Sequence, residues 1–276
     1  MQLEFTKMHG AGNDVMVFDA PRDGRLPTTE QWRALSDRHK GIGFDQAMVI
    51  EPPRRADTQA YYRIFNADGS EVEQCGNGVR CVASYLFRRG DVRNGEVTLD
   101  SPAGLIRIQV HDAGLVSVDM GPPSFDPRAL PFEASAEAHV YPLQVAGTEV
   151  EIGAVSMGNP HAILTVSSVA SAPVDRLGPA IENHPRFPRR VNVGFMEIVD
   201  RRHIRLRVHE RGTGETLACG SGACAAVAVG RRHGRLDATV KVDLPGGTLE
   251  ITWKDPSEHI WMKGPAAVSF TGRVEI

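Results

Sequence analysis

Apolar and polar residues alternate with period two in several short runs, the signature of half-buried β-strands. In "HIRLRV", Ile204, Leu206 and Val208 fall on one face and Arg205, Arg207 and His209 on the other, which reads as a core face and a solvated face. "AYYRIF" (Ala60–Phe65) alternates in the same way. Two longer runs, "VTLDSPAGLIRIQV" (Val97–Val110) and "VKVDLPGGTLEITW" (Val240–Trp253), each read as strand, Pro-Gly turn, strand. The period lengthens in "VRCVASYLFRRG" and "ACAAVAVGRRHG", which suit helices closed by Arg-rich last turns and a glycine.

These elements come in two sets in the same order. Gly12-Asn13 recurs as Gly158-Asn159, Gln46 has Asn192 at the same offset, and Cys75-Gly76-x-Gly78 recurs as Cys219-Gly220-x-Gly222. The two hairpin runs follow. Ordered matches with slowly drifting offsets predict a duplicated domain. Each half reads strand, polar loop, Cys-Gly-x-Gly, helix, hairpin. The predicted fold class is α+β: two pseudo-symmetric domains, each a mostly antiparallel sheet or barrel around a central helix, with the active site in the interdomain cleft. "MGPPSFDP" (Met120–Pro127) marks the boundary, so the expected domains are residues 1–119 plus 265–276 and residues 120–264, the last strand crossing back to complete the first.

Composition narrows the partners. The chain has 276 residues, 41% hydrophobic and 24% charged, with a formal net charge of -3. That balance gives no reason to expect nucleic acid or an anionic membrane as partner. No apolar stretch approaches the roughly 20 residues that span a bilayer, and no basic-then-apolar leader opens the sequence. A cytoplasmic location is the expectation.

All four cysteines sit in two phrases, "EQCGNGVRC" and "LACGSGAC". Structural zinc pairs read Cys-x2–4-Cys. Here, at helical pitch, Cys75 and Cys81 lie about 240° apart, and Cys219 and Cys224 about 140° apart. Neither pair presents both sulfurs on one face, so no metal site is expected. Cys81 and Cys224 are expected in the core. A cysteine just before a helix lies where unpaired amides converge and the dipole favours an anion, so Cys75 and Cys219 are expected as reactive thiols of lowered pKa. The glycines beside them leave the same amides open to a carboxylate. A sulfur on each face of one α-carbon could invert a stereocentre by proton exchange.

The phrases "NADGSEVEQCGNGVRC", "ERGTGETLACGSGAC", "KMHGAGNDVMVFD", "MGNPHA" and "RVNVGF" resemble the diaminopimelate epimerases along essentially the whole chain. Those enzymes interconvert L,L- and meso-diaminopimelate without a cofactor and feed lysine and peptidoglycan synthesis. The resemblance implies that Cys75 and Cys219 are the acid/base pair. It implies substrate binding by Asn13, Gln46, Asn66, Gly76, Asn77, Asn159, Asn192, Glu210, Arg211, Gly220 and Ser221. It also implies that His161 and Glu210 set the thiol pKa values, that no cofactor or metal is used, and that the protein is a homodimer acting on a small molecule. Val15 departs from the family, where an aromatic is common. Proline racemases and hydroxyproline epimerases are the nearest rival reading, although Gly-Asn-Gly follows Cys75 where those enzymes suggest Gly-His-Gly. A zinc-stabilised or redox-responsive binding protein is a third.

Overall fold

The computed structural model describes residues 2–72, 76–92, 94–111 and 114–276, so Cys75 lies outside the described residues. The chain is sheet-dominated α+β and divides into two compact units, Met1–Asp119 with Lys263–Ile276, and Met120–Met262.

Unit 1 runs β1 (Gln2–Gly10), β2 (Asn13–Asp19), α1 (Thr29–Ser36), β3 (Gln46–Glu51), β4 (Ala60–Asn66), β5 (Glu71–Val72), α2 (Gly76–Arg89), β6 (Glu96–Asp100), β7 (Ile106–Val110) and β8 (Leu115–Asp119). β1 and β2 are antiparallel, β2 and β3 parallel around α1, and β3 and β4 antiparallel. β4 then pairs with β5 and, in parallel, with β6. β6, β7 and β8 form an antiparallel meander. α1 starts at a capping box, the Thr28 hydroxyl accepting from the Gln31 amide while Gln31 Oε1 accepts from the Thr28 amide. It buries Trp32 and Leu35, and Trp32 stacks on Phe65 with ring centroids 5.0 Å apart.

Unit 2 repeats the plan. Its strands are β9 (Tyr141–Val145), β10 (Thr148–Ser156), β11 (Pro160–Thr165), β12 (Asn192–Asp200), β13 (His203–Glu210), β14 (Gly214–Thr216), β15 (Thr239–Leu244) and β16 (Gly247–Thr252). α3 (Val174–Glu182) joins β11 to the parallel β12, as α1 joins β2 to β3, and α4 (Gly220–Arg232) follows β14 as α2 follows β5. β17 (Trp261–Pro265) leads the chain back to β18 (Ala267–Glu275), which pairs antiparallel with β1. β9 makes the matching pairing with β10 in unit 2.

Register repeats as well as order. In unit 1, Met8 pairs with Val15, Val15 with Gln46, and Gln46 with Asn66. In unit 2, Val155 pairs with His161 and His161 with Asn192, while Asn192 and Glu210 end the ladder that joins Val193 to His209. Three residue positions therefore correspond: Val15 with His161, Gln46 with Asn192, and Asn66 with Glu210.

The central helix of each unit is packed by small and branched residues. In α4, Ala223 to Ala228 are fully buried. The helix lies so close to β10 that a Cβ on Gly153 would sit 2.4 Å from Val229 Cγ1, so only glycine fits there. Cys81 and Cys224 are both fully buried in these helices. One sequence expectation fails on β13. His209 is not on a solvated face: it is buried, with Nε2 2.8 Å from Glu182 Oε2, because α3 covers that end of the strand. A Cβ on Gly178 of α3 would lie 2.7 Å from the His209 ring. Arg205 and Arg207 are paired instead with Glu197 and Glu215.

Candidate active site

In unit 2, Cys219 is the N-cap of α4, with extended backbone at φ -123 and ψ 109. Its carbonyl accepts the first helical bond from Ala223 at 3.0 Å. The side chain is 5% exposed. The Glu210 carboxylate at the end of β13 stands beside the sulfur, and Ser221 Oγ lies 3.6 Å from Sγ. Gly222 has to be small here, since a Cβ would meet Cys219 Sγ at 3.3 Å and Val208 Cγ2 at 3.1 Å.

The expectation of a lowered thiol pKa is overturned for Cys219. Burial pushes the thiol well above its ordinary value, and the Glu210 charge pushes it further. The Ser221 hydroxyl and the Gly222 amide favour the thiolate but do not prevail. Two helix-start groups are outweighed by desolvation and one carboxylate, so Cys219 is a protonated thiol at neutral pH.

The rest of the unit 2 cluster is tightly knit. His161 is fully buried, with Nε2 3.0 Å from Asn159 Oδ1 and 3.1 Å from Ser221 Oγ. Asn159 Nδ2 donates to the same hydroxyl at 3.3 Å. Burial, reinforced by the Arg211 charge, pulls the His161 pKa down to about 3, so the imidazole is neutral. Asn192 is buried on β12, where Nδ2 donates to the Pro160 carbonyl at 3.2 Å and Oδ1 accepts from the Arg211 amide at 2.9 Å. Asn192 thus ties the loop carrying Glu210 and Arg211 to the strand carrying His161. Glu210 Oε1 also accepts from the Thr216 hydroxyl of β14. The Arg211 side chain is exposed and donates to the Arg189 carbonyl at 3.1 Å.

Unit 1 gathers its own set. Gln46 Nε2 donates to Asn66 Oδ1 at 3.0 Å, and Asn66 Nδ2 donates to Ser70 Oγ at 3.1 Å. Asn13 Nδ2 donates to Asp45 Oδ2 at 3.2 Å, in the turn where Ala11 and Gly12 take φ of 53 and 85. Gly76 and Asn77 open α2, and the buried Asn77 side chain accepts from Arg80 Nη2 at 2.8 Å. Gln46 Oε1, like His161 Nδ1, is buried with no hydrogen-bond partner among the described residues. The proposed site residues therefore fall into two groups: Asn13, Gln46, Asn66, Gly76 and Asn77 in unit 1, and Asn159, His161, Asn192, Glu210, Arg211, Cys219, Gly220 and Ser221 in unit 2.

Several supporting residues escaped the sequence reading. Glu182, 5% exposed at the end of α3, accepts from the Gly212 amide at 2.8 Å and from Arg190 at 3.2 Å besides meeting His209. It therefore grips the chain on both sides of Glu210-Arg211. Burial opposes its charge, but His209, the Gly212 amide and Arg190 prevail and hold its pKa below the usual carboxylate value. Arg80 is fully buried, donating to the carbonyls of Pro265 at 3.2 Å and Gly76 at 3.4 Å. Arg38 bridges Asp14 and Asp45 at 2.8 and 2.7 Å, while the buried Lys7 pairs with Asp14 and donates to the Gly43 carbonyl. This network braces the acceptor of Asn13. A charge set within the apolar run "VRCVAS" is a signal for Arg80; Glu182 has none, because its partners lie far along the chain.

The profile of the diaminopimelate epimerase family matches residues 5–125 and 153–269. The diaminopimelate epimerase of Azotobacter vinelandii is 52% identical over 276 residues, and that of Alkalilimnicola ehrlichii 54% over 278, each match covering the whole of both chains. Among solved structures, a Bacillus anthracis phenazine biosynthesis protein of the PhzF family shares the fold at a TM-score of 0.70 and 19% identity, over all of both chains. A hydroxyproline epimerase of Agrobacterium vitis with bound trans-4-hydroxy-L-proline does so at 0.68 and 17%, over 99% of this chain and 92% of that one. Duplicated scaffold, Cys-Gly-x-Gly helix starts and full-length identity near one half agree: the chain belongs to the diaminopimelate epimerase family.

Proposed function

We propose that this protein is an isomerase that interconverts L,L- and meso-diaminopimelate, with Cys75 and Cys219 as the base and acid of a two-base proton exchange that needs no cofactor. One thiolate removes the α-proton, and the other thiol delivers its own proton to the opposite face. The configuration inverts, the two sulfurs exchange protonation states, and no atom or charge is gained overall. The observation that carries this reading is the Cys219 site: a thiol at the N-cap of a helix, kept protonated by burial and Glu210, beside open helix-start amides. With Cys219 protonated at rest, the half-reaction that begins from this state uses Cys219 as the proton donor and Cys75 as the thiolate, and the reverse reaction exchanges the two roles.

Diaminopimelate carries an ammonium and a carboxylate at each end. The amides of Gly76-Asn77 and Gly220-Ser221 take the reacting carboxylate, where negative charge grows as the α-proton leaves. Glu210 takes the α-ammonium, and Asn13, Gln46, Asn66, Asn159, Asn192 and Arg211 take the distal end. His161, held neutral, tunes Cys219 through Ser221. Relatives about half identical over their full length are diaminopimelate epimerases, whereas likeness to a hydroxyproline epimerase extends only to fold. We extend the proposal to a homodimer in the cytoplasm, which sedimentation of the purified protein and cell fractionation test.

Chiral analysis of purified protein incubated separately with L,L-diaminopimelate and L-proline decides the substrate. Formation of the meso isomer and no D-proline is the expected result. Turnover of proline alone, or of neither, overturns the assignment.

A further inference from the structure

Among the described protein groups, the polar contacts around the half-buried Ser221 leave its hydroxyl proton a single destination. Ser221 Oγ has three polar neighbours, Asn159 Nδ2 at 3.3 Å, His161 Nε2 at 3.1 Å and Cys219 Sγ at 3.6 Å, and one hydrogen of its own to place. Asn159 Nδ2 can only donate, so it consumes one oxygen lone pair. The direction of the His161 contact follows from the tautomer. Nε2 also faces Asn159 Oδ1 at 3.0 Å, an atom that can only accept, so Nε2 carries the imidazole proton. The other tautomer would set a bare nitrogen against that oxygen and strand an N–H at Nδ1, which has no partner among the described residues. With its proton on Nε2, the neutral His161 can offer Ser221 only an N–H. Both nitrogens therefore point donors at the Ser221 oxygen, and its O–H is left to donate to the sulfur.

Cys219 is oriented to match. The thiol hydrogen is turned toward Glu210, whose carboxylate raises the thiol pKa both as a charge and as an acceptor. A sulfur lone pair is thus left for the Ser221 hydrogen. We propose that the Ser221 side chain is a catalytic residue: a dedicated hydrogen-bond donor to the Cys219 sulfur that stabilises the thiolate formed once Cys219 has given up its proton, with Asn159 and His161 as the residues that aim it. In the proposed substrate site Ser221 contributes its backbone amide, and the catalytic role of its hydroxyl rests on the reading of Cys219 as one of the two reacting thiols. It resolves a conflict within the site. Burial and Glu210 keep the resting sulfur protonated, which suits a proton donor, but they also oppose the thiolate that donation leaves behind. A donor whose bond strengthens as charge develops on sulfur lowers that barrier. Unit 1 differs at the matching position, where the Asn77 side-chain oxygen accepts from Arg80.

The test is the rate of iodoacetamide modification at Cys219, followed by mass spectrometry of the Cys219 peptide across pH, in the wild type and in Ser221→Ala, Ser221→Gly and Ser221→Thr proteins. Loss of one donor to a charged sulfur raises the apparent pKa by about one unit. We expect that rise in Ser221→Ala and Ser221→Gly and near-wild-type behaviour in Ser221→Thr. We expect kcat to fall about tenfold for that shift, with KM within about twofold because the backbone amide is kept. Superimposable profiles for wild type and either deletion variant overturn the proposal, as does failure of threonine to restore the profile in a protein that folds. Because modification is read without turnover, a protein that fails to act on diaminopimelate refutes the substrate assignment and leaves the hydroxyl's role to be judged on the modification profile alone.

Discussion

The starts of α2 and α4 occupy matching places in the two units, yet the chemistry built around them differs. At α4, Gly220-Ser221 is followed by the apolar Cys224 in the core, and the charged neighbour of Cys219 is the Glu210 carboxylate. At α2, Gly76-Asn77 is followed by Arg80, whose fully buried guanidinium fastens both residues. The matched strand positions diverge likewise, with Val15, Gln46 and Asn66 in one unit and His161, Asn192 and Glu210 in the other. Among the described residues, Cys219 has the Glu210 carboxylate beside it, and the start of α2 has the Arg80 guanidinium. The duplicated backbone supplies two equivalent amide clusters, and side-chain divergence makes them unequal. A near-symmetric reaction still needs one acid and one base at any moment, and in the proposed mechanism this difference is what would separate the two roles.

The comparison breaks most completely if either thiol is dispensable. Cys75→Ala and Cys219→Ala should each lower kcat by about 10²–10⁴-fold, the range of a lost acid or base, as measured by steady-state turnover with folding checked by circular dichroism. A smaller effect follows from Glu182, which braces only unit 2. Glu182→Ala strands the buried His209 and the Gly212 amide and should destabilise the protein by about 3–5 kcal/mol in urea unfolding. Glu182→Gln, which keeps the shape, should cost less and appear mainly as a raised KM. On the other side, Arg80→Met leaves the acceptors at Gly76, Asn77 and Pro265 without this donor and should cost about 1–3 kcal/mol.

A subtler contrast lies between His161 and Val15. The folded pKa of His161 is lowered from 6.5 to about 3, so between those values the unfolded chain binds more protons there than the folded one. Its contribution to stability is fully present above about pH 6.5 and is lost progressively as pH falls toward 3. Unfolding titrations below pH 6.5 should therefore show a shallower slope in His161→Val than in the wild type. An unchanged slope would mean that the imidazole protonates freely in the fold.

Much of this architecture is legible in the sequence because its causes are local or periodic. The alternation of "HIRLRV" and "AYYRIF", the Pro-Gly hairpins and the paired Cys-Gly-x-Gly phrases each encode an element within a few residues of chain. What escapes is what depends on distant partners. His209 falls on the polar face of its strand by alternation, but α3 covers it, a fact set by Glu182 27 residues away. The Cys219 pKa runs opposite to the helix-start expectation, because a sequence announces a helix dipole but neither burial nor a carboxylate brought in by a neighbouring strand. Arg80 is visible as a charge in an apolar run, yet its role appears only once Pro265, 185 residues on, is placed against it.

The central claim, two thiols exchanging protons at one carbon, is tested most directly by α-hydrogen exchange. L,L-diaminopimelate would be incubated with the protein in D2O, with reductant and chelator present and no pyridoxal phosphate added. Deuterium entering the α-position as the meso isomer forms, and abolished together with isomer formation in Cys75→Ala and Cys219→Ala, is the predicted result. Isomer formation that persists in either variant would contradict the account.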